Sequence, residues 1–214
     1  MRSTFSSMWQ PRWHDEYRLA VNSNSPTRTV VPAKKHDLRV WKGYLKTQTG
    51  QLHSMEIRLE YEAERDKRTL FYPLAPPQVE WQTPIRHPNI QPPRPSGEGI
   101  VCLGPLRPDL WNPKTHIAKV LDFIEVLLNS PDPSDPINHP VCLEVAVSMI
   151  KERLTRTPTL AHILEPKLRE AELVLRKYAQ RWNAVRMDAE KRDRDRAWYL
   201  IVEAGKRLSA ESRR

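Results

Sequence analysis

Residues 85–113 read IRHPNIQPPRPSGEGIVCLGPLRPDLWNP. Neither a helical nor a strand period runs through them. Fifteen of the chain's 20 prolines lie between Pro73 and Pro140. Proline fixes φ and donates no hydrogen bond, so this middle third is not mostly regular helix or central strand. It contains long, rigid connections, and the loop from Ile85 to Asn112 is interrupted by one apolar run, Ile100-Val101-Cys102-Leu103. Rigid loops are where reactive side chains are most often presented.

Outward from that stretch the pattern becomes periodic. On the N-terminal side, Leu38–Leu45, Met55–Tyr61 and Val79–Trp81 alternate apolar and polar residues as half-buried strands do. Gly50 marks a turn between the first two. Before them Trp9, Trp13, Tyr17 and Ala20/Val21 repeat every three or four residues, one face of a short helix. The run Asn22-Ser23-Asn24-Ser25-Pro26 ends it. On the C-terminal side, Lys114–Asn129 carries Ile117, Val120, Leu121, Ile124, Leu127 and Leu128 on one side of a helix, with Asn112 or Asn112-Pro113 as its cap. Ser130-Pro131-Asp132-Pro133-Ser134-Asp135-Pro136 breaks it, and a helix follows over about Val141–Arg153. The last long helix begins near Thr159. Its seam of Leu164, Leu168, Ala171, Leu175, Tyr178, Trp182, Val185 and Ala189 is spaced 4-3-4-3-4-3-4. One edge packed on the domain, or a partner helix, would both use such a seam; packing is the simpler reading up to Val185.

Composition narrows the function. The 214 residues are 39% hydrophobic and 29% charged, enough for a real core in one domain or one domain plus an appendage. No apolar run reaches the ~20 residues that span a bilayer. The N-terminal 30 residues lack the pattern of a secretory signal. Two cysteines, Cys102 and Cys142, make neither a disulfide framework nor a four-cysteine zinc site. A reducing, cytoplasmic setting is therefore expected, with no metal. None of the six glycines sits in a phosphate-cradling loop, which argues against a nucleotide cofactor. Residues 151–214 hold 17 Lys/Arg against 10 Asp/Glu, a net of +7, whereas the first 150 residues hold 18 against 16. These C-terminal charges are interleaved as on a solvated helix, and no nucleic-acid readout motif accompanies them.

Five features fall in a fixed order through the proline-rich third. They are Tyr72-Pro73 with Pro76-Pro77, His87-Pro88-Asn89, Gly99-x-x-Cys102-Leu103, Trp111-x-Pro113 before an apolar helix, and Asp132-Pro133-Ser134-Asp135-Pro136. This ordered set resembles a ubiquitin-conjugating enzyme. The resemblance runs from Arg12-Trp13-His14-Asp15-Glu16-Tyr17, similar to that family's first helix, to Ala179-Gln180-Arg181-Trp182 in its last. It implies an α+β fold: an N-terminal helix, a four-stranded antiparallel meander, a proline-rich active-site loop and C-terminal helices, here with an extended last helix. The expected organisation is a flexible N-terminus at 1–8, a catalytic core at 9–183 and a basic helical extension at 184–214.

Chemistry and resemblance meet at Cys102. Passing an acyl group between proteins needs a nucleophile that forms a labile ester, and a thiolate serves well near neutral pH. Composition alone favours Cys102 as a small hydrophobe; its proline-rich, non-helical surroundings turn the reading toward a reactive residue, and spacing leaves open a cysteine–histidine pair with His87 or His116. Cys142, between Val141 and Leu143, reads as structural. The resemblance implies that Cys102 receives an already activated modifier as a thioester. Asn89 would stabilise the oxyanion, Asp135 would orient the incoming amine, with Asp132 a weaker candidate, and His87 with Pro88 would anchor a turn. It implies further that Leu74, Trp111 and Pro113 face a ligase and that Arg12 and Arg18 face an activating enzyme. The partners are then a ubiquitin-like modifier, its activating enzyme, a ligase and protein substrates, with no cofactor, membrane or nucleic acid required. A non-catalytic scaffold of the same fold is the alternative, and a basic nucleic-acid binder a more distant one.

Three departures set the chain apart. The segment Ile90–Glu98, with Pro92, Pro93 and Pro95, lengthens the connection from Asn89 to Cys102. No Pro-Tyr-x-Gly-Gly turn occurs around Thr47–Ser54, and residues 184–214 extend past the family core. They imply a divergent member, of a prokaryotic system or of one using a different ubiquitin-like modifier.

Overall fold

A computed structural model describes residues 5–62, 68–93, 99–101, 103–182 and 188–211, with side chains at 11–62, 68–93, 99–101, 103–177 and 195–211. The elements follow in the order α1 (Phe5–Asn22), β1 (Arg28–Lys34), β2 (Asp37–Lys46), β3 (Leu52–Arg58), β4 (Glu60–Glu62), β5 (Thr69–Phe71), β6 (Gln78–Trp81), β7 (Gly99–Ile100), α2 (Ile117–Asn129), α3 (Pro140–Leu154), α4 (Pro158–Trp182) and α5 (Asp188–Glu211). Two compact units emerge, Met1–Pro84 with Pro93–Asn129, and Ile85–Pro92 with Ser130–Arg214.

The first unit is built on an antiparallel sheet of order β1-β2-β3-β6-β7. Four of these strands form the expected meander, and two-residue β7 extends it. Alternation sets the register: Trp41 faces Ile57, Gly43 faces Met55 and Leu45 faces His53, all on the inner side. Gly43 makes room there for Met55: a Cβ would lie 2.9 Å from Met55 Cγ, so the methionine side chain would have to shift. Gly50, at φ +88°, closes the β2–β3 hairpin. The helix α2 buries Ile117, Val120, Leu121 and Ile124, the stripe read from its 3.6 period.

Three details differ from the sequence reading. Strand β1 has no clean alternation and contains Pro32, which an edge strand tolerates because one side of its backbone needs no partner. The run Met55–Tyr61 is not one strand. It bends at buried Leu59, whose N–H donates to Arg39 O (2.7 Å) while its carbonyl accepts from Tyr72 N (2.8 Å); β4 then pairs with β5. The helix α2 starts at Ile117, not Lys114: Asn112 Oδ1 accepts from Lys114 N (3.0 Å) and holds a turn ahead of the helix. The cap of α2 comes from 101 residues earlier, where Glu16 Oε2 accepts the Ile117 N–H (2.8 Å).

In the second unit, α3, α4 and α5 share one apolar core. It contains Leu143, Ala146, Ile150 and Leu154 of α3, Leu164, Leu168, Ala171 and Leu175 of α4, and Ala197, Ile201, Ala204 and Leu208 of α5. The first four positions of the heptad seam are thus consumed by packing inside the unit. Tyr178 and Trp182 have no described side chain, and Val185 lies outside the described residues. What reads as one extended last helix is described as two, α4 ending at Trp182 and α5 beginning at Asp188. The charge run Lys191–Arg196 lies within α5. Basic residues of this unit meet acidic ones, as in Lys167–Glu203 (2.9 Å), Arg207–Glu203 (2.7 Å) and Arg196–Glu170. Among the described residues no helix is long and apolar enough to cross a membrane.

Candidate active site

The turn His87–Ile90 is tight and buried. His87 Nδ1 accepts the backbone N–H of Asn89 (3.0 Å), which leaves the ring proton on Nε2. His87 and Ile90 form a single antiparallel bridge, and both are buried. In this geometry the histidine anchors a turn and its Nδ1 has no lone pair left for a base.

From that turn Asn89 reaches the aspartate loop. Its Nδ2 donates to the carbonyl oxygens of Asp132 (2.9 Å) and Asp135 (2.8 Å), and its Oδ1 accepts from Asp132 N (2.9 Å). One amide therefore closes three backbone groups of a segment whose prolines prevent it from pairing with itself. Alongside, Pro88 O accepts from Ile137 N (2.8 Å). Asn89 is 3% exposed and both its N–H bonds are taken, so as placed it has none to offer an oxyanion. The expected donor is here a clip that fixes the loop.

The loop presents its carboxylates outward. Asp132 Oδ1 accepts from Ser134 N (2.8 Å) and Ser134 Oγ (2.6 Å), which uses it to shape the turn. The Asp135 side chain is exposed and has no hydrogen-bond or ion-pair partner among the described residues. Cys142 is fully buried, with its thiol directed at Ile90 O (3.4 Å), and serves packing.

In the first unit, Cys102 lies outside the described residues, as does the segment 94–98 that lengthens its approach. Its flanks are held by β7, paired with β6, and by a 3-10 turn at Gly104–Leu106. Trp111 Nε1 donates to Pro73 O (2.7 Å) and its ring lies against Tyr72 at 5.9 Å between centroids. That bond brings the 110–113 loop beside the proline knot, whose Tyr72–Pro73 peptide is cis. Leu74 and Leu110, each 60% exposed, and exposed Pro113 flank the junction.

Arg12 departs from its expected place on a free helix face. Its Nε pairs with Glu16 Oε1 (2.8 Å), and its Nη2 reaches Tyr72 Oη (3.4 Å), Lys114 O (3.4 Å) and Thr115 O (3.3 Å). Glu16, fully buried, also accepts from Tyr72 Oη (2.5 Å) and contacts His116 Nδ1 (2.9 Å). Burial and the neighbouring Glu16 carboxylate both push the Tyr72 phenol well above its ordinary value. Arg12 and His116 are thus tied into a buried network joining α1, the proline knot and α2. Sequence reasoning placed Glu16 on the first helix without assigning it this role. Arg18 is exposed beside Asp15 (3.4 Å).

No group of three or more His, Cys, Asp or Glu among the described residues is arranged to hold a metal ion. A family model described as ubiquitin-conjugating enzyme matches residues 12–157. The chain belongs to the ubiquitin-conjugating enzyme family. Its α+β architecture is that family's, with β5 and β7 added to the expected elements and the extended last helix described as α4 and α5. A probable ubiquitin-conjugating enzyme of Acanthamoeba polyphaga mimivirus is 34% identical over 100 residues, covering 46% of this chain and 57% of that protein. The human ubiquitin-conjugating enzyme E2 T is 41% identical over 69 residues, 31% of this chain and 32% of that one. The chain thus spans about a third to just over half the length of these two relatives. A solved structure of a human ubiquitin-conjugating enzyme aligns at a TM-score of 0.44 and 18% identity, over 57% of this chain and 96% of that one. The family match stops one residue before α4 begins, so α4 and α5 lie beyond it.

Proposed function

We propose that the chain accepts ubiquitin or a ubiquitin-like protein as a thioester on Cys102 and transfers it to a lysine amine of a target protein. The Cys102 thiolate attacks the thioester carried by an activating enzyme, forming the new carbon–sulfur bond and releasing that enzyme's thiol. ATP is spent by the activating enzyme, and this chain requires no cofactor. The amine then attacks the carbonyl, the Cys102–carbonyl bond breaks, and the amine proton leaves. An exposed carboxylate at Asp135 orients the ammonium and takes part in that proton loss. Asn89 contributes by holding the Asp135 backbone. Leu74, Trp111 and Pro113 supply an apolar docking edge for a ligase, and lysine-bearing proteins are the substrates. The catalytic core is residues 9–183, with 184–214 as an appended helical segment, and the protein acts in the cytoplasm.

The observation that carries this reading is the Asn89 clip. Three hydrogen bonds of 2.8–2.9 Å fix a loop that exposes a carboxylate without a partner, in a chain of a family of transfer enzymes. Ubiquitin, a ubiquitin-activating enzyme and ATP provide the test. A reductant-sensitive adduct is expected with the wild-type chain, and Cys102→Ser is expected to convert it into a reductant-resistant oxyester. Absence of any adduct, or a reductant-sensitive adduct on Cys102→Ser, would sink the reading.

A further inference from the structure

The loop that carries Asp135 is held from a second side, by α5. Trp198 Nε1 donates to Pro136 O (2.9 Å), the carbonyl next to Asp135. Asn138 Nδ2 donates to Asp195 Oδ1 (3.0 Å), three residues before Trp198 on the same helix. Two turns further on, Gly205 lies flat against the loop. A Cβ there would stand 2.7 Å from Ser134 Cα, 2.9 Å from Ser134 Cβ and 3.2 Å from Pro133 O. Two of these three obstacles are backbone atoms, so the loop itself would have to move.

Glycine is otherwise a poor choice inside a helix, where alanine is preferred. Its presence within α5 is explained by this close approach. Helix α5 is not loosely attached, because Ala197, Ile201, Ala204 and Leu208 are buried in the core shared with α3 and α4. The indole N–H and the bare Gly205 surface therefore transmit a fixed position to residues 133–136. Asn89 grips the same loop through the carbonyls of Asp132 and Asp135. The loop is clamped between a turn inside the family match and a helix outside it.

We propose that Trp198 and Gly205 are positioning residues for amine transfer, acting through the Asp135 loop, so that the appended helix α5 is part of the transfer machinery. This rests on the role given to Asp135 in the proposed function. Displacing the loop would leave receipt of the thioester intact, since that step needs only the thiol. It would slow attack by an amine that must be oriented and lose a proton.

The test uses the full-length chain, ubiquitin loaded by a ubiquitin-activating enzyme and ATP, and free L-lysine as acceptor. Gly205→Ala favours the helix intrinsically, so a loss of transfer cannot come from a weaker α5. Trp198→Phe keeps an aromatic ring but removes the donor with the pyrrole half of the indole, and serves should Gly205→Ala fail to fold. In both, loading is expected at the wild-type rate, while discharge to lysine at neutral pH falls about tenfold, a partial loss of the roughly 10²–10⁴-fold that general acid–base assistance contributes. The deficit should shrink as pH rises and the amine deprotonates unaided. Asp135→Asn should show the same pH-dependent defect, and adding Gly205→Ala to it should cost little more. Amide hydrogen exchange at Asp132 and Ile137 should quicken in Gly205→Ala, a readout independent of any modifier. Unchanged exchange and discharge, or a loss fully additive with Asp135→Asn, would overturn the role of α5. Faster exchange with a wild-type discharge profile would also overturn it. A wild-type discharge rate in Asp135→Asn would instead remove the role of Asp135 itself, while the exchange result still reports on the clamp.

Discussion

Replacing Asn89 by alanine isolates the clip from any direct part in chemistry. The change removes three hydrogen bonds of 2.9, 2.8 and 2.9 Å and strands two carbonyls and one N–H of the aspartate loop. At about 1 kcal/mol net for each bond the loss is about 3 kcal/mol, lowered somewhat where water reaches the exposed side of the loop. For a chain of this size that is roughly a 5–10 °C fall in melting temperature. Asn89→Asp is the sharper companion. It keeps an acceptor for the Asp132 N–H but sets a carboxylate oxygen against two carbonyl oxygens. Those carbonyls raise the introduced carboxyl's pKa in the folded state, so the folded state favours the protonated form. Its stability is then greatest at low pH and is lost as pH rises through the raised value. Thermal unfolding followed by far-UV circular dichroism, from pH 4.5 to 8, measures both variants. Asn89→Asp should melt no higher than Asn89→Ala at pH 8 and gain on it toward pH 4.5. If both variants melt within about 1 °C of wild type throughout, Asn89 does not hold the loop, and the clip is refuted.

Other outcomes follow from the packing. Glu16→Gln removes the one charge that Arg12, Tyr72, His116 and the N-terminus of α2 share, and should cost about 3 kcal/mol in a urea titration. Leu168→Ala opens a cavity in the core joining α3, α4 and α5, with an expected loss of about 2–5 kcal/mol; a loss under about 1 kcal/mol would show that α4 is not packed as described. His53 is 1% exposed, lies tilted against Trp81 with ring centroids 5.3 Å apart, and burial holds its pKa below the ordinary value. The unfolded chain therefore binds a proton that the folded chain refuses. This histidine's contribution is intact above about pH 6.5 and is lost as pH falls below it. Stability measured from pH 7.5 to 5 should decline more steeply in wild type than in His53→Phe, and equal slopes would contradict the burial effect.

Much of this architecture is legible in single residues of the sequence. The alternation in β2 and β3 and the 3.6 period of α2 report faces that the structure buries, because those elements each rest on one core face. Strand β1 is not legible, since an edge strand holding Pro32 shows no alternation. The bend at Leu59 is set by backbone bonds to Arg39 and Tyr72, and no local signal encodes it. At the site, the order of motifs points to Asn89 and Asp135, yet not to their relation. The amide of Asn89 bonds the Asp135 carbonyl, 46 residues on, and the side chain alone would suit an oxyanion equally well. A glycine within a helical stretch and a tryptophan on a weak apolar stripe are visible in the sequence, but what Trp198 and Gly205 meet is not, because the reason for the indole N–H or the missing Cβ lies in a loop more than 60 residues away.

The most direct test of thioester chemistry is the intact mass of the chain after incubation with ubiquitin, a ubiquitin-activating enzyme and ATP. A gain of one ubiquitin less one water, reversed by a thiol reductant, kept in Cys142→Ala and absent from Cys102→Ala, is the predicted result. No gain in the wild-type chain, or a reversible gain that persists in Cys102→Ala, contradicts it.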